Sequence, residues 1–188
     1  MNYFRKTIDF LKEDSWQSWI VSLILIFIVI KWIFFPLLTI VTGSPLPLVV
    51  VESCSMYHES DFNEWWSRNA VWYESRNISK TDFESFSFKS GLNKGDIILV
   101  LGKNQYSKGD IIIYNSVTQY PIIHRIVSLN PTETKGDHNS DQLPYNLEKN
   151  IPQENILGKS AARISYLGWI KLIFYEPLKS QSERGFCK

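Results

Sequence analysis

Ser55, His124, Asp137 and Asp141 are the residues of this chain whose types and order suit covalent catalysis on a carbonyl. Ser55 lies in Val49-Val-Val-Glu-Ser-Cys-Ser-Met56, two positions after Ser53. Three β-branched residues in a row favour extended backbone, so the run reads as a strand that stops in small polar residues and presents a hydroxyl. A serine hydroxyl attacks only when a base takes its proton. His124, in the strand-like Pro121-Ile-Ile-His-Arg-Ile-Val-Ser-Leu129, is the candidate base, since neutral imidazole accepts a proton near physiological pH. The ring then needs a carboxylate to fix its tautomer and stabilise its cation. Thr134-Lys-Gly-Asp-His-Asn-Ser-Asp141 offers Asp137 and Asp141 on a turn. The order Ser, His, Asp, with no Gly-x-Ser-x-Gly before the serine, argues against the α/β-hydrolase arrangement. Each residue also has a plainer role: serines end strands and bond backbone, and a lone histidine in an apolar strand is usually structural.

The elements that would position these residues begin with an anchor. Ile20 to Val41 is 22 residues with the single charge Lys31, long enough at 1.5 Å per residue to cross about 30 Å of hydrocarbon. Pro36 marks a kink or the approach to the far surface. Arg5, Lys6 and Lys12 precede the span and no basic residue lies in 42–51, so the expected topology is a cytoplasmic segment 1–19, a transmembrane helix 20–41, and an extracytoplasmic domain 42–188 in a single-pass cell-membrane protein. The 20 basic and 19 acidic residues of the 188-residue chain nearly cancel, which leaves no field that would select nucleic acid. Two cysteines, Cys54 and Cys187, cannot make a disulfide framework, and whether they pair stays open. His58, His124 and His138 show no metal spacing, so neither metal nor cofactor is expected.

Beyond the breaker cluster Gly43-Ser-Pro-Leu-Pro47, the domain reads as mainly β. The phrases Asn93-Lys-Gly-Asp-Ile-Ile-Leu-Val100 and Ser107-Lys-Gly-Asp-Ile-Ile-Ile-Tyr114 are each a turn feeding a strand. The stretch 121–129 is a third strand, 132–141 a polar turn region, and 156–173 at least one more strand. Gly168-Trp-Ile-Lys-Leu-Ile-Phe-Tyr175 reads as a core strand or a segment resting on the membrane. The aromatic-rich stretch 57–90 looks like an insertion, with a short helix over Asp61 to Tyr73 and a satellite apolar cluster at one end of the domain. Asn77-Ile-Ser79 matches a glycosylation acceptor pattern, one that is frequent by chance.

The chain resembles type I signal peptidases of the archaeal and endoplasmic-reticulum kind, from the anchor to about Tyr175. The matching boxes are Ser53-Cys-Ser-Met56, the Gly-Asp pairs at 95–96 and 109–110, His124-Arg125, and Lys135-Gly-Asp-His-Asn139 followed by Asp141. The resemblance implies an antiparallel, coiled, barrel-like β domain behind one N-terminal transmembrane helix. It implies a serine endopeptidase that removes signal peptides from secretory precursors at the bilayer, with the secretion translocon as a further partner. Ser55 would be the nucleophile and His124 the base in place of the bacterial lysine. Asp141 is the preferred orienting residue, with Asp137 supporting the site. The Ser55 backbone N–H and the Ser53 hydroxyl would hold the oxyanion, Met56 completes the serine box, and an extended substrate would pair with a strand edge above shallow pockets. Tyr57-His58 stands where the family usually has a proline, the spacing of the two aspartates is short, and 57–90 is long. The alternative from another class is an inactive, membrane-tethered peptide-binding or scaffolding β module.

Overall fold

A computed structural model of the chain describes residues 2–102, 105–118 and 120–188, with residues 2–4 described in backbone only. It divides into two compact units, 1–41 and 42–188. The first holds α1 (Asn2–Leu11) and a continuous apolar helix, Trp16–Thr42, that carries over to the start of the second. This helix is 27 residues long and is the one helix among the described residues long and apolar enough to cross a membrane. It starts four residues before the expected span because Ser15 caps it, accepting the Ser18 N–H through its side chain. Its α-helical part α2 (Trp16–Val29) widens into a π-turn over Ile30–Phe34 before α3 (Phe35–Thr42). Pro36 has no N–H to give and its ring crowds the carbonyl four residues back, and a wide turn just before it relieves that conflict.

The second unit is built on one sheet. Its strands are β1 (Leu48–Val50), β2 (Ile97–Leu101), β3 (Ile111–Tyr114), β4 (Ile122–Leu129), β5 (Thr132–Lys135) and β6 (Ile156–Ile164). They are ordered β1-β2-β6-β3-β4-β5, every neighbouring pair antiparallel. The domain is thus the mainly antiparallel β domain that the strand pattern predicts. β3 lies between β6 and β4 and is buried on both faces. Ile111 and Ile113 pack with Val51, Met56, Leu92, Ile98 and Val100, whereas Ile112 and Tyr114 pack with Ile126 and Ile151. That is the period-two alternation of a central strand, and each such isoleucine contributes roughly 1.5–3 kcal/mol of burial.

The two Gly-Asp phrases adopt one geometry. Asp96 Oδ2 accepts the Asn93 N–H and Asp110 Oδ2 the Ser107 N–H, each at 2.9 Å. Gly95 and Gly109 stand at φ 90° and 92°, where a side chain would be strained. Carboxylate and glycine together fold the turn that launches each strand.

Residues 57–90 carry α4 (Phe62–Glu74) and α5 (Lys80–Ser85). Asp61 caps α4 by accepting the Asn63 and Glu64 N–H groups, and Ser79 with Asp82 forms a capping box on α5. Trp65, Trp66, Tyr73, Ile78 and Phe83 pack with Val127 of β4, the satellite cluster expected of this stretch. Two segments differ from the sequence reading. Thr132–Lys135, expected as turn, is a strand because it pairs with β4. In 168–175, expected as a strand or membrane-lying segment, Trp169–Tyr175 forms the helix α6; so short an apolar-rich stretch does not separate the two periodicities.

Candidate active site

Ser55 follows β1 in an irregular loop that is fixed at several points. The Leu92 N–H donates to the Met56 carbonyl at 2.8 Å, and the His138 N–H to the Ser55 carbonyl at 2.8 Å. His124 is on β4, opposite Ile112 of β3, so its ring direction is set by a strand buried in the core. The Ser55 hydroxyl lies 2.9 Å from His124 Nε2, hydrogen-bond distance for proton transfer. His124 Nδ1 faces Glu148 Oε1, whose carboxyl group is fully buried. With Nδ1–H donated to that carboxylate, Nε2 is left with a lone pair toward Ser55.

Glu148 corrects the sequence reading, in which Asp141 or Asp137 orients the ring. The structure brings neither to His124. Asp141 is exposed and accepts the Trp72 indole N–H and the Gln142 N–H, each at 2.8 Å; these bonds, the Trp72 one foremost, lower its carboxyl below the ordinary range. Asp137 is fully buried and belongs to Arg125. Arg125 Nη2 donates to it at 2.7 Å and Nε at 3.0 Å, while His58 Nε2 stands at 3.2 Å and the Tyr73 hydroxyl at 3.3 Å. Burial alone would raise the Asp137 carboxyl, but Arg125 and His58 outweigh it and hold it well below the ordinary range. Successive side chains of a strand point to opposite faces, so His124 and its neighbour Arg125 serve different clusters.

Glu148 sits in a loop of unusual backbone: Tyr145, Asn146 and Asn150 have φ near +50° to +60°, a region that asparagine tolerates better than most residues. The Thr134 N–H of β5 donates to the Glu148 carbonyl at 2.9 Å, the Tyr114 hydroxyl to the Leu147 carbonyl at 3.2 Å, and the Leu143 N–H to Glu148 Oε2. No short motif marks this residue. The signal that sequence reasoning missed was a second one: a buried Arg125 needs its own anion, which removes Asp137 from consideration for His124.

Lys135 and Gly136 act at close range. Lys135 is buried beside the Trp72 and Tyr73 rings, 4.9 and 5.1 Å from their centroids, and burial brings its ammonium down to about 8 against the pull of Asp137, Glu148 and Asp141. Gly136 passes so near the pair that a Cβ on it would stand 2.7 Å from the Ser55 carbonyl oxygen and 2.8 Å from His124 Nε2. Ser53 Oγ is 3.1 Å from Ser55 Oγ, and Met56, 1 % exposed, presents Sδ 3.5 Å from the Asp137 amide nitrogen.

Ser55 and His124 open into a cleft of about 310 Å³. Val51, Met56, Ile122, Ile123 and Leu143 give it apolar walls, and Ser53 and Asn139 line it as well. Among the described residues, no group of three or more His, Cys, Asp or Glu side chains is placed to hold a metal ion. Cys54 and Cys187, left open by the sequence, are joined by a disulfide. Chemically, the arrangement is a hydroxyl, an imidazole and a buried carboxylate in line at an open apolar cleft. No protein-family model and no curated protein matches the chain.

Proposed function

We propose that the chain is a membrane-anchored serine endopeptidase acting through Ser55, His124 and Glu148, and that it removes signal peptides from secretory precursors. The observation that carries this reading is the 2.9 Å approach of the Ser55 hydroxyl to His124 Nε2, with the other ring nitrogen against a buried carboxylate. Ser55 Oγ attacks the scissile carbonyl as His124 takes its proton, and His124 then hands that proton to the leaving amine. The Glu148 carboxylate stabilises the imidazolium between these steps. The Ser55 backbone N–H and the Ser53 hydroxyl hold the oxyanion, a donor pair of which each member is commonly worth about 2.7–4 kcal/mol.

The substrate class rests on three supports. β1 is an edge strand of three residues leading into the serine loop, suited to pairing with an extended peptide. The cleft walls are aliphatic, which suits small apolar side chains before the cut. The apolar helix would hold enzyme and tethered precursor in one membrane, raising their effective concentration. The cytoplasmic amino terminus and extracytoplasmic domain are supported by the basic flank and by the disulfide, since such bonds persist mainly outside the reducing cytosol.

The test is cleavage of a secretory precursor by full-length protein in detergent. Wild type is expected to release one defined amino-terminal fragment, and Ser55→Ala and His124→Ala to abolish it. Equal cleavage by all three proteins, or none by the wild type, refutes the proposal.

A further inference from the structure

The residues just before the nucleophile are fastened by Lys171, Lys179 and Cys187. The Glu52 carbonyl accepts from Lys179 Nζ at 2.8 Å, and the Glu52 carboxylate pairs with Lys171 Nζ at 2.8 Å. Cys54, between the two serines, is bonded to Cys187 across 133 residues of sequence. Up to Gly185 the terminal segment is held by polar bonds, among them Arg184 Nε to the Lys179 carbonyl at 2.9 Å and Arg184 Nη2 to the Pro177 carbonyl at 2.8 Å. Lys94 Nζ binds Glu176 Oε2 at 2.9 Å and the Glu183 carbonyl at 2.6 Å, and the Gly185 N–H reaches Glu176 Oε2 at 2.7 Å. Beyond Gly185, Phe186 leans on Trp169 with ring centroids 4.5 Å apart but is 63 % exposed. Beyond Gly185 one exposed ring, against Trp169 and Tyr166, orders the residues around Cys187 weakly against their conformational entropy, whereas a covalent link keeps them in place.

We propose that the C-terminal segment is a redox-released strap, with the Cys54–Cys187 bond holding the serine loop in register with His124. Closed, the bond limits the motion of Cys54, and the adjacent Ser55 stays at hydrogen-bond distance from the imidazole. A small-molecule or protein dithiol opens it by exchange. One thiolate attacks a sulfur of the bridge, the dithiol's second thiol resolves the mixed disulfide, and two protons and two electrons pass from the dithiol, which leaves as a disulfide, to the Cys54 and Cys187 thiols. The strap beyond Gly185 then frays, the loop gains freedom, and turnover falls while the walls supplied by Ile122, Ile123 and Leu143 stay as they were. A serine displaced by about 1 Å costs on the order of a hundredfold in rate.

The inference uses the peptidase reading for one of its two readouts, and the other is independent of activity. Full-length protein in detergent is compared before and after dithiothreitol, beside Cys187→Ser and Cys54→Ser/Cys187→Ser, with bridge opening verified by intact mass. Amide exchange over 51–57 is expected to accelerate at least tenfold in the reduced protein and in both variants, with exchange over β3 unchanged. Precursor cleavage should lose kcat about tenfold to a hundredfold with little change in KM, and dithiothreitol should leave both variants unaffected. Reduced protein whose 51–57 amides exchange as before overturns the strap, as does unchanged kcat with the bridge verified open. If the oxidised protein cleaves nothing, the peptidase reading fails, and the exchange rates alone then decide the strap.

Discussion

Glu148→Gln is the most discriminating single change, because the structure gives both carboxylate oxygens a donor. Oε1 faces His124 Nδ1 and Oε2 accepts the Leu143 N–H. A carboxamide has one acceptor oxygen, so the variant must choose. With its oxygen toward His124, its NH2 opposes the Leu143 N–H and a buried amide goes unpaired, at about 1–3 kcal/mol. With its NH2 toward His124, Nδ1 must accept, the ring proton moves to Nε2, and the base faces Ser55 with no lone pair. Neither choice leaves a negative charge to stabilise the imidazolium. Replacing the acid by its amide in a comparable triad lowers kcat by about 10⁴, so a fall of about 10³–10⁴ is expected here, or about 4–5.5 kcal/mol at 1.36 kcal/mol per decade. The assay is kcat and KM on a precursor peptide, with circular dichroism verifying the fold. Asp141→Asn, whose exposed carboxylate touches Trp72 and Gln142, is expected to stay within about threefold of wild type, as surface changes usually do. Wild-type turnover in Glu148→Gln, with turnover lost in Asp141→Asn, would refute the assignment.

Three further outcomes follow from the same geometry. Gly136→Ala puts a methyl group 2.7 Å from the Ser55 carbonyl oxygen and 2.8 Å from His124 Nε2; kcat should fall about a hundredfold, and a crystal structure of the variant should show the ring displaced from Ser55. The Asp137 carboxyl is lower in the folded protein than its ordinary 3.8, so its stabilisation is complete above that value and fades as pH falls toward the folded one, where the unfolded chain binds the extra proton. Thermal midpoints of wild type should therefore drop on acidification below about pH 4, and those of Asp137→Asn, lowered at neutral pH by the loss of Arg125's buried partner, should drop less over the same range. His58→Phe retains a ring against Trp65 but removes the donor to Asp137, so the thermal midpoint should fall by roughly 2–12 °C for about 1–3 kcal/mol with kcat within about threefold at low temperature.

The parts legible in the sequence were those fixed by local chemistry. The long apolar helix is a composition signal, the Gly-Asp turns carry their own hydrogen bonds, and Asp61 caps the helix that the aromatic spacing suggests. Ser55 and His124 are 69 residues apart, yet the structure puts them in contact; His124 was legible because it is the one histidine on a strand among the described residues, and Ser55 because it follows the short β-branched run. Glu148 was hidden for the opposite reason. Its selection depends on a loop whose backbone visits left-handed conformations at Tyr145, Asn146 and Asn150, and nothing in Pro-Tyr-Asn-Leu-Glu marks that path. β5 was hidden because Thr-Glu-Thr-Lys has no apolar alternation. Its burial, complete at Thr134 and Lys135, comes from β4, the Glu148 loop and the Trp72 ring.

Tyr57-His58, after Ser53-Cys-Ser-Met56, and the aromatic stretch that follows have a common physical role. His58 stacks on Trp65 with ring centroids 3.8 Å apart and nearly parallel planes, and its Nε2 reaches Asp137. A proline at 58 could do neither. The stretch in turn encloses the same ion pair: Arg125 donates to the carbonyls of Ser87 and Phe88, and Tyr73 to Asp137. A fully buried guanidinium and carboxylate are costly unless their remaining hydrogen-bonding groups are met, and residues 58–88 meet several of them. The benefit passes to the site through short backbone links. The Asp137 amide faces Met56, Gly136 backs His124, and the amide of His138 holds the Ser55 carbonyl. The Arg125–Asp137 pair therefore acts as the floor on which Ser55 and His124 are set, while Glu148, approaching from the β5 side, gives Oε1 to the imidazole and Oε2 to the Leu143 N–H.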